Sequence, residues 1–443
     1  MQKDFHYFAT YCAAYLGGYS HEESVALCTA AQFVDLCTRT YLDHISGPEE
    51  AATTQLQLEL ADARMDILGR QDMTRIWSSF HFLPYDLYAE VKGPKNYKDK
   101  YRLICKPNGA LLADTVKQVK GKGLAAAGIA MHILADTWAH SYFAGTPSLV
   151  INNTNSHFFE IIPDGKGGET ERRVQFAHNP AQKEDLDKGS YAGCLYQATE
   201  HSIMSLGHGR AGHLPDYSCV KYRYLPAWGQ YDEIIKDNPS DYMHAFCQMI
   251  YAIKFLRGEH KEFQLNTYDE EAVKDIRDEI DTILRKRQVD SCDDWQAFGQ
   301  KLSGQEVPDF NIGGYEKEYM EASEEDKQNT WMGQFLQAAV RQKAMVTNRI
   351  HKSGSTLAGF SIEAVSGAGA IAAAIETVRR NVIGEARSGM EDAQNEIQEA
   401  HKDAVEQAEK AEDAFNAMAD KSGGSSSDMK DGRSGDKGGG ADD

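Results

Sequence analysis

Apolar positions recur every three to four residues through most of the first 265 positions, the period of a helix with one buried face. Phe5 to Leu16 reads as a short helix stopped by Gly17-Gly18. Ser20, with Glu23 three positions on, has the form of a capping box. The helix it opens carries Val25, Ala26, Ala30, Phe33, Val34 and Cys37 and extends to about Tyr41. Further helices are predicted over Thr54 to about Leu68, along a long segment broken near Gly121-Lys122-Gly123 and ending at Gly145, and over roughly Leu186 to Leu206, where Gly207-His208-Gly209 terminates the run. Strand-type alternation is confined to short pieces at Ser148 to Asn152 and Phe158 to Ile162. The pattern predicts an all-α fold. A multi-helix domain spans residues 1–265, followed by a charged helical region over 266–350, an Ala/Gly- then Ala/Glu-rich helical segment over 351–421 and a disordered tail over 422–443.

One helical segment carries chemistry. In Gly128 to His140, residues His132, Asp136 and His140 are four apart and stack along one face, among small and apolar neighbours. Three polar heads on such a face point inward. A buried carboxylate between two imidazoles is costly unless something neutralises it, and a divalent cation does so. Other imidazoles and acids recur in apolar or glycine-rich settings: His6 in DFHYF, Asp35 in QFVDL, His81 in SFHFLP, and His208, His213 and Asp216 in GHGRAGHLPD. Each alone has an ordinary explanation as a core histidine, a helix-interior carboxylate or a helix C-cap. Together they form a donor set of imidazole nitrogens and carboxylates that suits zinc with positions left for water.

Charge and cysteine content narrow the classes. The 443 residues hold 47 Lys plus Arg against 67 Asp plus Glu, a formal net charge of −20, which argues against stable binding to duplex nucleic acid. The eight cysteines are scattered with no CxxC pair, so no disulfide framework is expected and a reducing compartment is. The amino terminus lacks the apolar stretch of a secretory signal. The longest weakly polar run, Ala364 to Ile375, falls short of the roughly 20 residues a bilayer span needs. These features predict a soluble chain without a transmembrane anchor, cytoplasmic as synthesised and exported, if at all, by a dedicated route without a signal peptide. The Ala-rich helix pattern from Gly384 to Lys421 would make a weak coiled coil and is the candidate contact for a helical protein partner.

In the order of its residue types the chain resembles the zinc-dependent phospholipase C and S1/P1 nuclease superfamily, and it is also similar to an uncharacterised bacterial family with DFHY, VD and HxxxDxxxH blocks. The resemblance covers about residues 1–220. It implies a metal-dependent hydrolase domain with two or three zinc ions, held by the N-terminal amine, His6, Asp35, His81, the pair His132 and Asp136, His140, and His208 with Asp216, His213 being the substitute for His208. Asp136 is then the carboxylate that bridges two ions, and Asp35 a ligand that also orients or deprotonates the attacking water. The implied reaction is phosphodiester hydrolysis by a metal-activated water. A phospholipid head group is favoured over a polynucleotide, because no aromatic stacking platform beside a cationic track stands out. The alternatives are a nuclease of the same superfamily, an enzyme carried as an effector, and a non-catalytic helical protein that its metal only stabilises.

Overall fold

The long apolar helix predicted before Gly145 becomes the hub of the described fold. In the computed structural model, which describes residues 1–63, 67–154, 157–177, 183–192, 206–229 and 232–355, every residue from Ala125 to Ala139 is buried. The helices in chain order are α1 Thr10–Leu16, α2 His21–Phe33, α3 Arg39–His44, α4 Gln57–Ala63, α5 Ile67–Phe80, α6 Lys95–Tyr101, α7 Ala110–Gln118 and α8 Leu124–Ala139. After these come α9 Leu149–Asn152, α10 Lys183–Asp187, α11 Asn238–Leu256, α12 Arg277–Arg285, α13 Cys292–Ser303, α14 Gly313–Glu321 and α15 Trp331–Lys352. Helices α2, α5, α7, α11 and α15 all pack on α8, which explains why its apolar residues run all round rather than along one stripe.

Small residues set the closest of these contacts. A Cβ on Gly128 of α8 would lie 2.3 Å from the Leu27 carbonyl oxygen and 2.6 Å from Ala30 Cβ of α2. The predicted capping box is present: Glu23 N–H donates to Ser20 Oγ, and Ser20 N–H donates to Glu23 Oε2. Ahead of α1 the chain makes a π-helical turn over Asp4–Ala9, tied down by Asp4, whose Oδ2 accepts from the Ser291 amide and hydroxyl at the start of α13. The described residues up to Ser355 belong to one compact unit, so the charged helices beyond residue 265 share the core of the earlier ones. Trp295 of α13 is buried against Phe5 and Phe246, and Phe335 of α15 against Phe33.

The fold is mostly helical but not all-α. An antiparallel sheet of order β2-β1-β5-β6 forms from Phe159–Pro163 (β1), Glu169–Arg173 (β2), Lys221–Tyr224 (β5) and Ile234–Asp237 (β6). A short parallel pair joins Gln175–Ala177 (β3) to Ser190–Ala192 (β4). Buried Glu160 of β1 holds this region together through Arg172 and Arg287, with Arg172 Nη2 2.6 Å from Oε2.

Several predicted boundaries move. The helix from Ser20 ends at Phe33, because Thr38 caps a new one by accepting from the Tyr41 amide. The helix predicted from Leu186 instead gives way to β4, with Gly189 turning at φ +75°; its residues 193–205 lie outside the described ones. The piece at Ser148 to Asn152 is the helix α9, while Phe158 to Ile162 is β1 apart from one residue at each end. The seven cysteines among the described residues are free. The segments over 356–421 and 422–443 lie outside the described residues. No helix of the described residues is long and apolar enough to cross a membrane.

Helix propensity and packing give opposite signs for Gly128→Ala. Propensity alone would stabilise α8 by about 1 kcal/mol, whereas the clash with the Leu27 carbonyl should cost about 1–3 kcal/mol. Urea melts should show a net loss of stability, and an unchanged or raised midpoint would refute the close α2–α8 contact.

Candidate metal centre

The positions that bear imidazoles and acids come from five stretches of chain and meet at the inner end of α8. His132 and Asp136 stand on α8, and His140 caps its C-terminal end. His81 follows α5, and Asp35 follows α2. His6 lies in the π-helical turn, a distortion that recurs at functional sites. His208 and Asp216 sit on the glycine-rich stretch before β5. Three sets of donor atoms lie within 4.8 Å of one another: His6, Asp35 and His132; His81, His132 and Asp136; and His140, His208 and Asp216.

Four of the five imidazoles in the cluster are aimed by a backbone carbonyl. His132 Nδ1–H donates to Ala31 O at 2.8 Å, His140 Nδ1–H to His81 O at 2.8 Å, His208 Nδ1–H to Gly212 O at 2.8 Å, and His81 Nε2–H to Thr53 O at 3.0 Å. A carbonyl only accepts, so each of these nitrogens carries the proton, and in the neutral ring the other nitrogen presents a lone pair. Local folding supplies the acceptors. At the end of α2 the Asp35 amide donates to Gln32 O, which leaves the Ala31 carbonyl to His132.

The inward nitrogens face other acceptors. His132 Nε2 and His81 Nδ1 are 3.3 Å apart, and they lie 3.2 and 3.3 Å from Asp136 Oδ2. Asp35 Oδ1 stands 3.9 Å from both. Donors about 2.0–2.1 Å from a tetrahedral zinc are separated by about 3.3 Å along each edge. The three nearest atoms fit that figure, and Asp35 stands as a looser fourth. Asp136 turns its other oxygen, Oδ1, toward His6 Nε2 at 3.1 Å and the Met1 nitrogen at 3.0 Å. His6 stacks on His132 with centroids 3.8 Å apart, and neither of its buried ring nitrogens has an aligned hydrogen-bond partner. The Met1 nitrogen also lies 3.0 Å from His140 Nε2 and 3.3 Å from Asp216 Oδ1. Asp216 in turn approaches His140 Nε2 at 3.4 Å and His208 Nε2 at 3.8 Å.

The electrostatics favour a cation in this space. Burial pushes the Met1 amine down, but Asp136, Asp216 and Asp35 outweigh it and raise it from 8.0 to about 11. Burial alone would raise Asp136, yet His140, the Met1 amine, His132 and His6 hold it well below the usual carboxylate range. Asp216 is held low in the same way, chiefly by His208 and the Met1 amine. His6, His132 and His208 are each lowered from 6.5 to about 4, burial being the largest cause. Those rings are therefore neutral near pH 7.

Eight of the nine residues singled out from the sequence join this cluster. The ninth, His213, stands outside it, with its side chain 46% exposed and Nδ1 3.0 Å from Asp216 Oδ2, where it orients the acid from behind. His21 hydrogen-bonds the Tyr11 hydroxyl and His244 stacks on Trp138, as suits imidazoles read as outside the site or left open. Sequence reasoning missed Phe82, whose ring stacks on His140 at 4.8 Å and tilts against His208 at 5.8 Å. The one trace of it was Gly207. That residue sits at φ +54°, and a Cβ there would come 2.3 Å from Phe82 Cζ.

Acid should destabilise the metal-free protein in a defined window. The unfolded chain takes up protons at His6, His132 and His208 as pH falls from about 6.5 to 4, and the fold refuses them. Stability measured with a chelator present should therefore fall between pH 7 and pH 5, by on the order of 1–2 kcal/mol per imidazole. A flat profile over that range would contradict the buried neutral rings. Comparison with curated proteins and with solved structures found no match. Residues 1–350 match the family DUF6765, described as a family of unknown function, and every residue of the cluster falls within that span; the chain belongs to this family.

Proposed function

We propose that this protein is a zinc-dependent phosphodiester hydrolase that holds two or three ions in the cluster. The observation that carries the reading is the set of inward lone pairs at His81 and His132, 3.3 Å apart and both against Asp136 Oδ2. Asp136 offers one oxygen to each half of the cluster, which suits it to bridge two ions. His81, His132 and Asp35 complete one half, while His6 and the Met1 nitrogen approach the bridging acid from the other side. His140, His208 and Asp216 supply a further donor set. The order of these residues along the chain resembles that of the phospholipase C and S1/P1 nuclease superfamily, and this resemblance supports the reaction class.

Zinc held in such a cage acidifies water and stabilises negative charge on phosphoryl oxygens. The protein's own groups do the rest. Asp35 is the most open ligand acid, its side chain 29% exposed, so water reaches it directly. Desolvation raises its carboxyl even though one edge meets solvent, which makes it the more basic acid and the candidate to orient or accept a proton from the attacking water. Phe82 covers His140 and His208 and limits solvent on that side. A phospholipid head group remains the favoured substrate over a polynucleotide, since a net charge of −20 offers no general attraction for a polyanion.

Metal analysis of the purified protein should give two or three zinc equivalents, with loss of at least one in His132→Ala or Asp136→Ala. Bis-p-nitrophenyl phosphate, phosphatidylcholine and single-stranded DNA should be assayed with and without chelator. Turnover should depend on metal, and Asp35→Asn should lower kcat by about 10²–10⁴-fold. Stoichiometric zinc without turnover of any phosphodiester would overturn the hydrolase reading and leave a metal-stabilised helical scaffold.

A further inference from the structure

Outside the metal cluster, one ammonium stands among aromatic rings with no acid beside it. Lys106 Nζ lies 5.2 Å from the ring centroid of Tyr142, 5.8 Å from that of Trp228 and 5.9 Å from that of Tyr85. No ion pair or hydrogen bond to this ammonium occurs among the described residues. Burial lowers its pKa from the ordinary lysine value, and no opposing charge offsets the shift.

The cage is built rather than incidental. Tyr142 adopts φ +80°, a conformation costly for an aromatic residue, and is held there by its N–H donating to Cys105 O at 2.7 Å. Trp228 Nε1–H donates to the Tyr142 carbonyl at 3.3 Å, and the two rings stack at 6.2 Å. Tyr101 braces Trp228 edge-on at 5.9 Å. The Tyr85 amide donates to Ile104 O, and the Tyr85 backbone passes so near Gly109 that a Cβ there would meet it at 2.6 Å. Tyr85 is 43% exposed, so one wall opens to solvent.

We infer that Tyr85, Tyr142 and Trp228 form a binding site for a quaternary ammonium group, and that Lys106 occupies it as a tethered stand-in until such a ligand displaces it. A primary ammonium is a poor resident here. It has three N–H donors, and the aromatic faces satisfy none of them with a conventional acceptor. A quaternary ammonium has no donors to strand and spreads its charge over methyl groups that fit against aromatic faces. Lys106 swings on a flexible four-carbon stem, so the exchange needs no backbone movement. None of the three rings belongs to the metal cluster, and the inference does not rest on the hydrolase reading.

Titration calorimetry of the full-length protein with choline tests this, alongside its neutral isostere 3,3-dimethyl-1-butanol. Choline should bind, and the isostere should bind at least about tenfold more weakly. Lys106→Ala should tighten choline binding several-fold by removing the competitor, while Trp228→Leu should abolish it. Should Trp228→Leu prove misfolded by its melting profile, Tyr85→Leu at the exposed wall should still weaken binding. Sedimentation with phosphatidylcholine vesicles separates the two sources of the group. Retention on vesicles that is lost in Tyr85→Leu assigns a lipid head group, and choline binding without retention assigns a free small cation. Equal binding of choline and isostere, or no choline binding by both the native protein and Lys106→Ala, would overturn the inference.

Discussion

Lone pairs facing lone pairs are the constraint on which the centre of this protein depends. His132 and His81 each spend their ring proton on a backbone carbonyl, so their remaining nitrogens meet each other and Asp136 with no hydrogen between them. Repulsion among such acceptors in a buried setting is severe without positive charge. The fold brings them together all the same, using the carbonyls of Ala31, Thr53, His81 and Gly212 as fixed aiming points. Those carbonyls orient the rings as the outer partners of metal-bound histidines do.

The aiming depends on how closely the helices approach. Gly128 lets α8 settle against the Leu27–Ala30 turn of α2, and this brings the Ala31 carbonyl within reach of His132. The all-round apolar character of α8 then has a functional meaning. A helix surrounded on every side cannot rotate, so His132 and Asp136 keep their direction. The aromatic site around Lys106 uses a different device, a tyrosine held at positive φ by hydrogen bonds on both sides of its peptide.

The parts legible in the sequence were those that local spacing encodes. HxxxDxxxH on an apolar helix required nothing beyond helix geometry, and the Ser20 cap followed from two residues three apart. The sheet was harder to see, because β2 reads ETERR with no apolar alternation and is exposed along most of its length. Its partner strands are only four or five residues long. The extent of the core past residue 265 was hidden by surface charge, although Trp295 and Phe335 are buried there. Near the site, His208 and His213 sat in equivalent glycine-rich surroundings, and only the path of the chain decides which one faces inward. The carbonyl partners carry no signature, because they are assigned by tertiary contact alone, and Phe82 leaves only the indirect trace at Gly207.

The spread of the donors along the chain has a consequence for assembly. His6 and Asp216 are separated by 210 positions, and Asp4 beside His6 is anchored by Ser291. A nascent chain therefore holds isolated imidazoles and acids until nearly all of this unit has been synthesised and has collapsed. High contact order of this kind slows folding. On the metal-bound reading proposed above, ion capture would then be a late event, and retained ions would report that the polypeptide has reached its finished topology.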